Sequence, residues 1–294
     1  MNLERERLTV GALGAAAPAD PVQSYRERLP APGIARQVAN VWVLEAGAEG
    51  GTYEHRTVPN GSMEISYALG SDRLEVSGPQ RGPVVARVEP GTTLVGIRLR
   101  PGAGPSILGL PASELVDLRV DADRLWGRDG EALVERLGEA ATPGSAVRLL
   151  EDAISRRLVD ATAPDPLVAA VVSQLQPWRS AGVGDWASTL YISPRQRRRR
   201  VVAALGFGPK TFQRILRFQG FLAVTQGRRQ GHVGLARLAQ WAGYADQAHL
   251  TRESAALTGL SAGAFLDEMW KSCGPNHDHE ASLSGLRLAL LATR

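Results

Sequence analysis

Cysteine is nearly missing from this chain: Cys273 is the only one in 294 residues. That excludes an internal disulfide framework and any multi-cysteine metal site. Lysine is almost as scarce, because arginine supplies 32 of the 34 cations, a bias that a GC-rich genome produces as readily as selection for phosphate contacts does. Histidine occurs five times, scattered. His277, Asp278, His279 and Glu280 have metal-capable side chains, but two histidines at i and i+2 lack a third and fourth ligand, so no metal and no cofactor is expected. No apolar run approaches the ~18 residues that span a bilayer. The opening MNLERERLTV is too charged for a secretory signal, and a cytoplasmic location follows as the expectation. Nowhere does a nucleophile–base pairing or a phosphate-cradling loop appear, so an enzyme is not expected.

What is present divides in two. Residues 1–160 carry 18 Lys and Arg against 22 Asp and Glu, whereas residues 161–294 carry 16 against 8. The overall net charge of +4 therefore hides an acidic front and a basic back, as expected where one domain meets a phosphate backbone and the other does not. In the front half, Val38–Glu45, Met63–Leu69, Leu74–Ser77, Val84–Val88 and Thr93–Leu99 are short β-prone runs between Gly, Pro, Asn and Asp. Gly70-Ser71-Asp72 reads as a hairpin turn. Such strands favour a small barrel or sandwich. From Pro111 the pattern becomes helical, at Ala112–Leu118, Asp121–Trp126, Gly130–Ala140 and Gly144–Val159. Residues 161–166 read as a linker, and Pro166–Gln176 opens the second domain with Leu167, Val168, Val171, Val172 and Leu175 inward.

Within that second domain the most informative stretch is 234–266. Leu235, Leu238, Ala239 and Ala242 form one apolar stripe, and Gly243 suits a left-handed cap. Tyr244 follows as an aromatic plug. Asp246 is a good N-cap for a second helix whose inner face carries Leu250 and Leu257. Steps of 100° then place Ala248, Thr251, Arg252 and Ala255 outward, with Gln247 beside them. Gln, Thr and Arg can hydrogen-bond base edges or phosphates.

This segment resembles the second helix-turn-helix of AraC-type transcription regulators, whose signature reads roughly G-Y-x-D-Q-A-H-L-T-R-E-F-x-x-x-x-G. Gly243, Tyr244, Asp246, Gln247, Ala248, His249, Leu250, Thr251, Arg252, Glu253 and Gly259 fit it. Ser254 departs, standing where the family usually places a buried Phe. The loss implies weaker packing unless Trp241 or Phe265 fills the space. The resemblance implies an upstream copy, and one lies 53 residues earlier when Arg197 is aligned with Leu250. There Val183–Leu190 is short and part apolar, Ile192 is an apolar anchor, and Ser193-Pro194 supplies an N-cap and a proline at the first helical position. Ser193, Arg195, Gln196 and Arg199 match the family pattern. Arg197 and Val201 replace an inward Leu and Phe, and an arginine turned inward without a carboxylate is costly.

The candidate DNA-binding residues are thus Arg195, Gln196, Arg198 and Arg199 in the first head and Gln247, Ala248, Thr251 and Arg252 in the second. A helix with Phe212, Ile215, Leu216, Gln219 and Leu222 on its inner face is expected to join them. Lys210, Arg214, Arg217, Arg228, Arg229 and His249 are candidate phosphate contacts, with His232 in the same loop as Arg228 and Arg229. Arg98 and Arg100 alternate with Ile97 and Leu99, share a sheet face, and are candidate effector contacts. The family's architecture implies an α+β chain: a cupin-like β-barrel with following helices at 1–160, a linker at 161–166, a double helix-turn-helix at 167–270, and an extension at 271–294 with a helix over 281–292. A weaker resemblance, through Gly91–Gly102, links residues 22–127 to the front domain of one actinobacterial-type branch. The implied partners are double-stranded DNA, RNA polymerase, a small-molecule effector and a second copy of the chain, with no membrane. The alternative reading is a ligand-responsive interaction protein whose first helix-turn-helix has decayed, leaving weak or nonspecific DNA contact.

Overall fold

The computed structural model describes residues 23–49, 51–175, 193–225 and 233–272. Its front part holds eight strands: β1 Gln23–Arg28, β2 Val38–Ala46, β3 Tyr53–Thr57, β4 Glu64–Ala68, β5 Leu74–Ser77, β6 Val84–Val88, β7 Thr93–Leu99 and β8 Arg119–Asp121. β2, β4, β5, β6 and β7 fall on the predicted runs. β1 and β3 were hidden by charged residues, and β8 is too short to leave a period-2 signal.

Six strands form one antiparallel sheet in the order β1-β2-β7-β4-β5-β8, and β3 pairs with β6 in a second, two-stranded sheet. No described pairing joins β1 to β8. The expected barrel is therefore an open sheet with a ribbon beside it. Register gives the sheet two unlike faces. Val41, Ile97, Ile65, Val76 and Val120 are successive cross-strand partners and together form an aliphatic ladder that is almost fully buried. On the other face the corresponding row is Asn40, Arg98, Glu64, Ser77 and Arg119. Val88 of the ribbon packs onto this second face through Tyr25, Trp42 and Leu44. Trp42 lies directly over its partner Gly96, where a Cβ would stand 2.3 Å from the indole.

The aliphatic face packs on the helical layer of α1 Gly104–Leu108, α2 Ala122–Trp126, α3 Arg128–Gly138 and α4 Pro143–Val159. Strand and helix layers thus close one core by burying apolar surface on both sides. α2, α3 and α4 match expectation. The helix expected over 112–118 is a single 3-10 turn, Ala112–Glu114. Asp117, with φ of 55°, breaks the helical path and accepts from the Arg81 backbone N–H at 2.7 Å.

After irregular backbone at 161–165, the remaining helices are α5 Pro166–Gln174, α6 Pro194–Leu205, α7 Pro209–Thr225, α8 Leu235–Trp241, α9 Gln247–Thr258 and α10 Ala262–Ser272. They share a second core with Leu167, Val171, Val201, Phe212, Leu250 and Phe265 at its centre. The inner face of α7 differs from expectation. Phe218 and Phe221 are buried together with Phe212 and Ile215, while Leu216 and Leu222 are only half-buried. Gln219 turns away from this core and donates to the Pro59 carbonyl at 2.8 Å. The part-apolar segment 183–190 with Ile192, the loop bearing Arg228, Arg229 and His232, and the tail with Cys273 and the expected helix 281–292 lie outside the described residues. No helix among the described residues is long and apolar enough to cross a membrane.

Candidate nucleic-acid interface

Two helices carry the candidate reading residues, and both start the same way. At α6, Ser193 Oγ accepts from the Gln196 backbone N–H at 3.3 Å, while the Gln196 side-chain oxygen accepts from the Ser193 N–H at 3.2 Å. This is a reciprocal capping box. At α9, Asp246 Oδ1 accepts from the His249 N–H at 2.6 Å. Both helices also end alike, on left-handed glycines, Gly206 at φ 85° and Gly259 at φ 76°. Ser193 to Asp246 and Gly206 to Gly259 each span 53 residues. The repeat is therefore a repeat of complete capped helices.

Arg195, Gln196, Arg198 and Arg199 are exposed, as are Gln247, Ala248 and Arg252; Thr251 is half-buried. Arg195, Arg198, Arg199 and Arg252 form no ion pair among the described residues. Gln196 has a second task, since its side-chain oxygen is committed to the cap. Arg197 is half-buried, consistent with the inward position that alignment gives it. Val201 is fully buried. Arg200 turns back instead: its Nε donates to Asp165 at 2.6 Å and its Nη2 to the other carboxylate oxygen, tying α6 to the start of α5. This pair holds the Asp165 carboxyl below its ordinary range, through hydrogen bonds from Arg200 first and despite partial burial.

The phosphate candidates fare unevenly. Lys210 is exposed. Arg214 is paired with Glu253 at 2.8 Å, a link between α7 and α9. Arg217 is half-buried, with Nε enclosed, and lies 5.7 Å from the Tyr244 ring centre. His249 meets the same ring edge-on at 5.2 Å. Arg217 and His249 thus pack around Tyr244, whereas Arg214 stays exposed while engaged by Glu253. Tyr244 itself is buried at the turn after Gly243, and burial raises its phenol pKa.

Ser254 is completely buried. Its hydroxyl donates to the Leu260 carbonyl at 3.0 Å, and Thr258 Oγ1 donates to the Ser254 carbonyl at 2.9 Å. A polar knot therefore replaces the missing aromatic and pins the turn into α10. Phe265 packs against Phe218 nearby, with centroids 5.7 Å apart.

Arg98 and Arg100 do not form a common site. Arg100 lies past the end of β7, exposed, donating to the Ala35 carbonyl at 2.9 Å. Arg98 sits on the polar face of the sheet between Glu64, at 2.7 Å, and Glu27, at 3.2 Å. Tyr25 donates to Glu27 at 2.7 Å and Asn60 to Glu64 at 3.0 Å. Burial alone would raise the Glu64 pKa, but the Arg98 charge, with hydrogen bonds from Arg98 and Asn60, outweighs it and holds this carboxyl low. Two carboxylates already neutralise Arg98, so an anionic effector would have to displace one of them.

The far ends of α6 and α9 both touch the front domain, which the sequence did not reveal. A Cβ on Gly206 would stand 2.8 Å from Val116 Cγ2 and 2.9 Å from Pro79 Cγ, and one on Gly259 would stand 3.7 Å from Pro83. The short segment 79–83 therefore reaches both caps. Arg56 of β3 completes the contact. Its Nη1 donates to the Thr258 carbonyl at 3.1 Å, and its Nε and Nη2 donate to Glu268 of α10 at 2.5 and 3.2 Å. Gly61 meets the Phe212 ring so closely that a Cβ would lie 2.6 Å away.

Residues 26–121 match the family model described as Domain of unknown function (DUF6597). This DUF6597 segment runs from within β1 to the end of β8, so it coincides with the sheet, the ribbon and the 79–83 segment, and it stops before α6 and α9. No curated protein matches the chain. Among solved structures, ToxT from Vibrio cholerae with an unsaturated fatty acid bound overlays loosely, at a TM-score of 0.41 and 10% identity, over 85% of this chain and 97% of that one. ToxT of Vibrio cholerae O395 gives 0.39 and 9%, over 74% and 94%. Among the described residues no three His, Cys, Asp or Glu side chains gather as metal ligands.

Proposed function

We propose that the chain is a sequence-specific double-stranded DNA-binding transcription regulator of the AraC type. Its two reading heads are α6 and α9, and its front domain sets how they are held. The observation that carries this is the pair of capped helices at a 53-residue offset. Their first two turns carry the exposed Arg195, Arg198 and Arg199 on one and the exposed Gln247 and Arg252, with half-buried Thr251, on the other. The start of a recognition helix is the part that enters a major groove, and arginine is the usual reader of guanine O6 and N7. The helix-dipole positive end adds to this attraction for phosphate.

α7 follows the first head and leads through α8 to the second, which supports a chain that addresses two successive grooves. The domain limits 1–160, 167–270 and 271–294, with a linker at 161–166, are part of this reading. A cytoplasmic location, polymerase contact and pairing of two copies are parts of the same reading.

Fluorescence anisotropy on genomic fragments tests the proposal. One fragment set should outcompete bulk DNA, with log K falling by about 0.9 per neutralised phosphate per log unit of salt. Uniform binding to all fragments would instead favour the decayed-head alternative. The variants Arg199→Ala and Arg252→Ala should each weaken the preferred fragment by about tenfold, in line with ~1–3 kcal/mol for a bidentate base contact.

A further inference from the structure

The front helical layer, the linker and α6 enclose an open cleft of about 990 Å³, a volume within the usual range of small-molecule sites. Its floor is apolar: Ile107 and Leu110 beside α1, Leu133 of α3 and Ala153 of α4, met by Ala203 and Ala204 of α6. Its walls carry four arginines and three aspartates.

Two of the arginines are already engaged. Arg157 donates from Nε to the Ile107 carbonyl at 2.9 Å, lies 3.7 Å from Asp129, and stacks 4.5 Å above the Trp126 ring. Arg200 is bound to Asp165. Arg136 of α3 and Arg156 of α4 are exposed in the same walls and form no ion pair among the described residues. Against these two cations stands only Asp160. The cleft therefore joins an apolar floor to a surplus of one positive charge, presented by planar guanidinium donors suited to a carboxylate. Partial burial already lowers the Arg157 pKa, and an anion alongside would offset that cost.

We infer that this cleft binds an organic monoanion with an apolar body, its carboxylate or sulfonate held by Arg136 and Arg156. A phosphate dianion suits the site poorly, since three aspartates and an apolar floor would surround its second charge. One wall is α6 and the linker beside it carries Asp165, so an occupant touches the anchor of the first reading head. The binding step stands independently of the proposed DNA recognition; only its effect on DNA affinity rests on that reading.

The test uses the whole chain without DNA. Anilinonaphthalene sulfonate serves as the fluorescent probe, displaced by decanoate, by decanol as the uncharged counterpart, and by inorganic phosphate as the anion without a body. Decanoate should displace it at concentrations about tenfold lower than either control, a difference of about 1.4 kcal/mol. In the double variant Arg136→Ala with Arg156→Ala, altered only at exposed positions, the probe itself should bind less tightly, and decanoate and decanol should displace it at similar concentrations. Ala132→Trp, which fills the α3 side of the cleft, should weaken both. Decanoate should also slow hydrogen exchange in residues 160–166 and α6. Equal displacement by decanol or phosphate, a double variant that binds decanoate like the parent, or protection confined to the sheet would each overturn the inference. A chain that binds decanoate but prefers no DNA fragment would refute the regulator reading alone, and the reverse result would refute the cleft alone.

Discussion

At the scale of single residues, two kinds of polar group hold positions that apolar packing would not fix. Asp246 and Ser193 begin the reading helices by satisfying free backbone N–H groups. Asp246→Ala should lower unfolding free energy by about 1 kcal/mol, read from the urea midpoint. Arg98 between Glu27 and Glu64 is the second case. Its replacement by methionine leaves two enclosed carboxylates facing each other and should cost about 3–5 kcal/mol at neutral pH. The sign of the pH effect follows from Glu64, whose pKa is depressed in the fold. Its stabilising contribution is complete above the unfolded value near ~4.3 and disappears as pH falls through the lower folded value. Urea midpoints of parent and Arg98→Met should therefore converge below about pH 4; a constant gap would show that the charges are not the cause.

At the scale of elements, the caps supply a graded test. Gly206 and Gly259 share a left-handed backbone, but only Gly206 also lacks room for a methyl group. Gly259→Ala should cost about 1–2 kcal/mol from backbone strain, and Gly206→Ala distinctly more, because Val116 and Pro79 would have to move. Thermal unfolding of the two variants distinguishes them. The helix starts, the stop at Gly243 and the 53-residue repeat were legible in the sequence because each signal lies within a few neighbouring residues. The face of α7 was not. Phe218 and Phe221 are buried because helices pack around α7 on several sides, whereas Gln219 meets Pro59, some 160 positions earlier in the chain. Likewise, Ser254 looked like a gap in the core, yet its hydroxyl closes a local polar knot with Thr258 and Leu260. The open sheet escaped prediction for a related reason: alternation reveals strands but not whether the first and last meet.

At the scale of the whole molecule, Arg56 is a polar link between the β3–β6 ribbon and the second head. Its side chain is 9% exposed, bound to both Glu268 and the end of α9. Arg56→Met should leave the sheet folded while raising hydrogen exchange in α9 and α10 and widening the range of DNA fragments bound. Unchanged exchange there would show that apolar contacts suffice to hold the domains. None of this was readable from spacing, because Arg56 and its partners are about 200 positions apart in the chain and each looks like an ordinary surface charge by itself.

The segment from Pro79 to Pro83 touches the end of both reading helices. Two binding heads on a flexible tether would tolerate half-sites at variable separation, each contributing on its own. Heads braced from one point behave as a single rigid ruler. On the proposed function, inserting one base pair between the half-sites would rotate the second by roughly a tenth of a turn and should forfeit its whole contribution at once, making the distance between sites as strict a requirement as their letters.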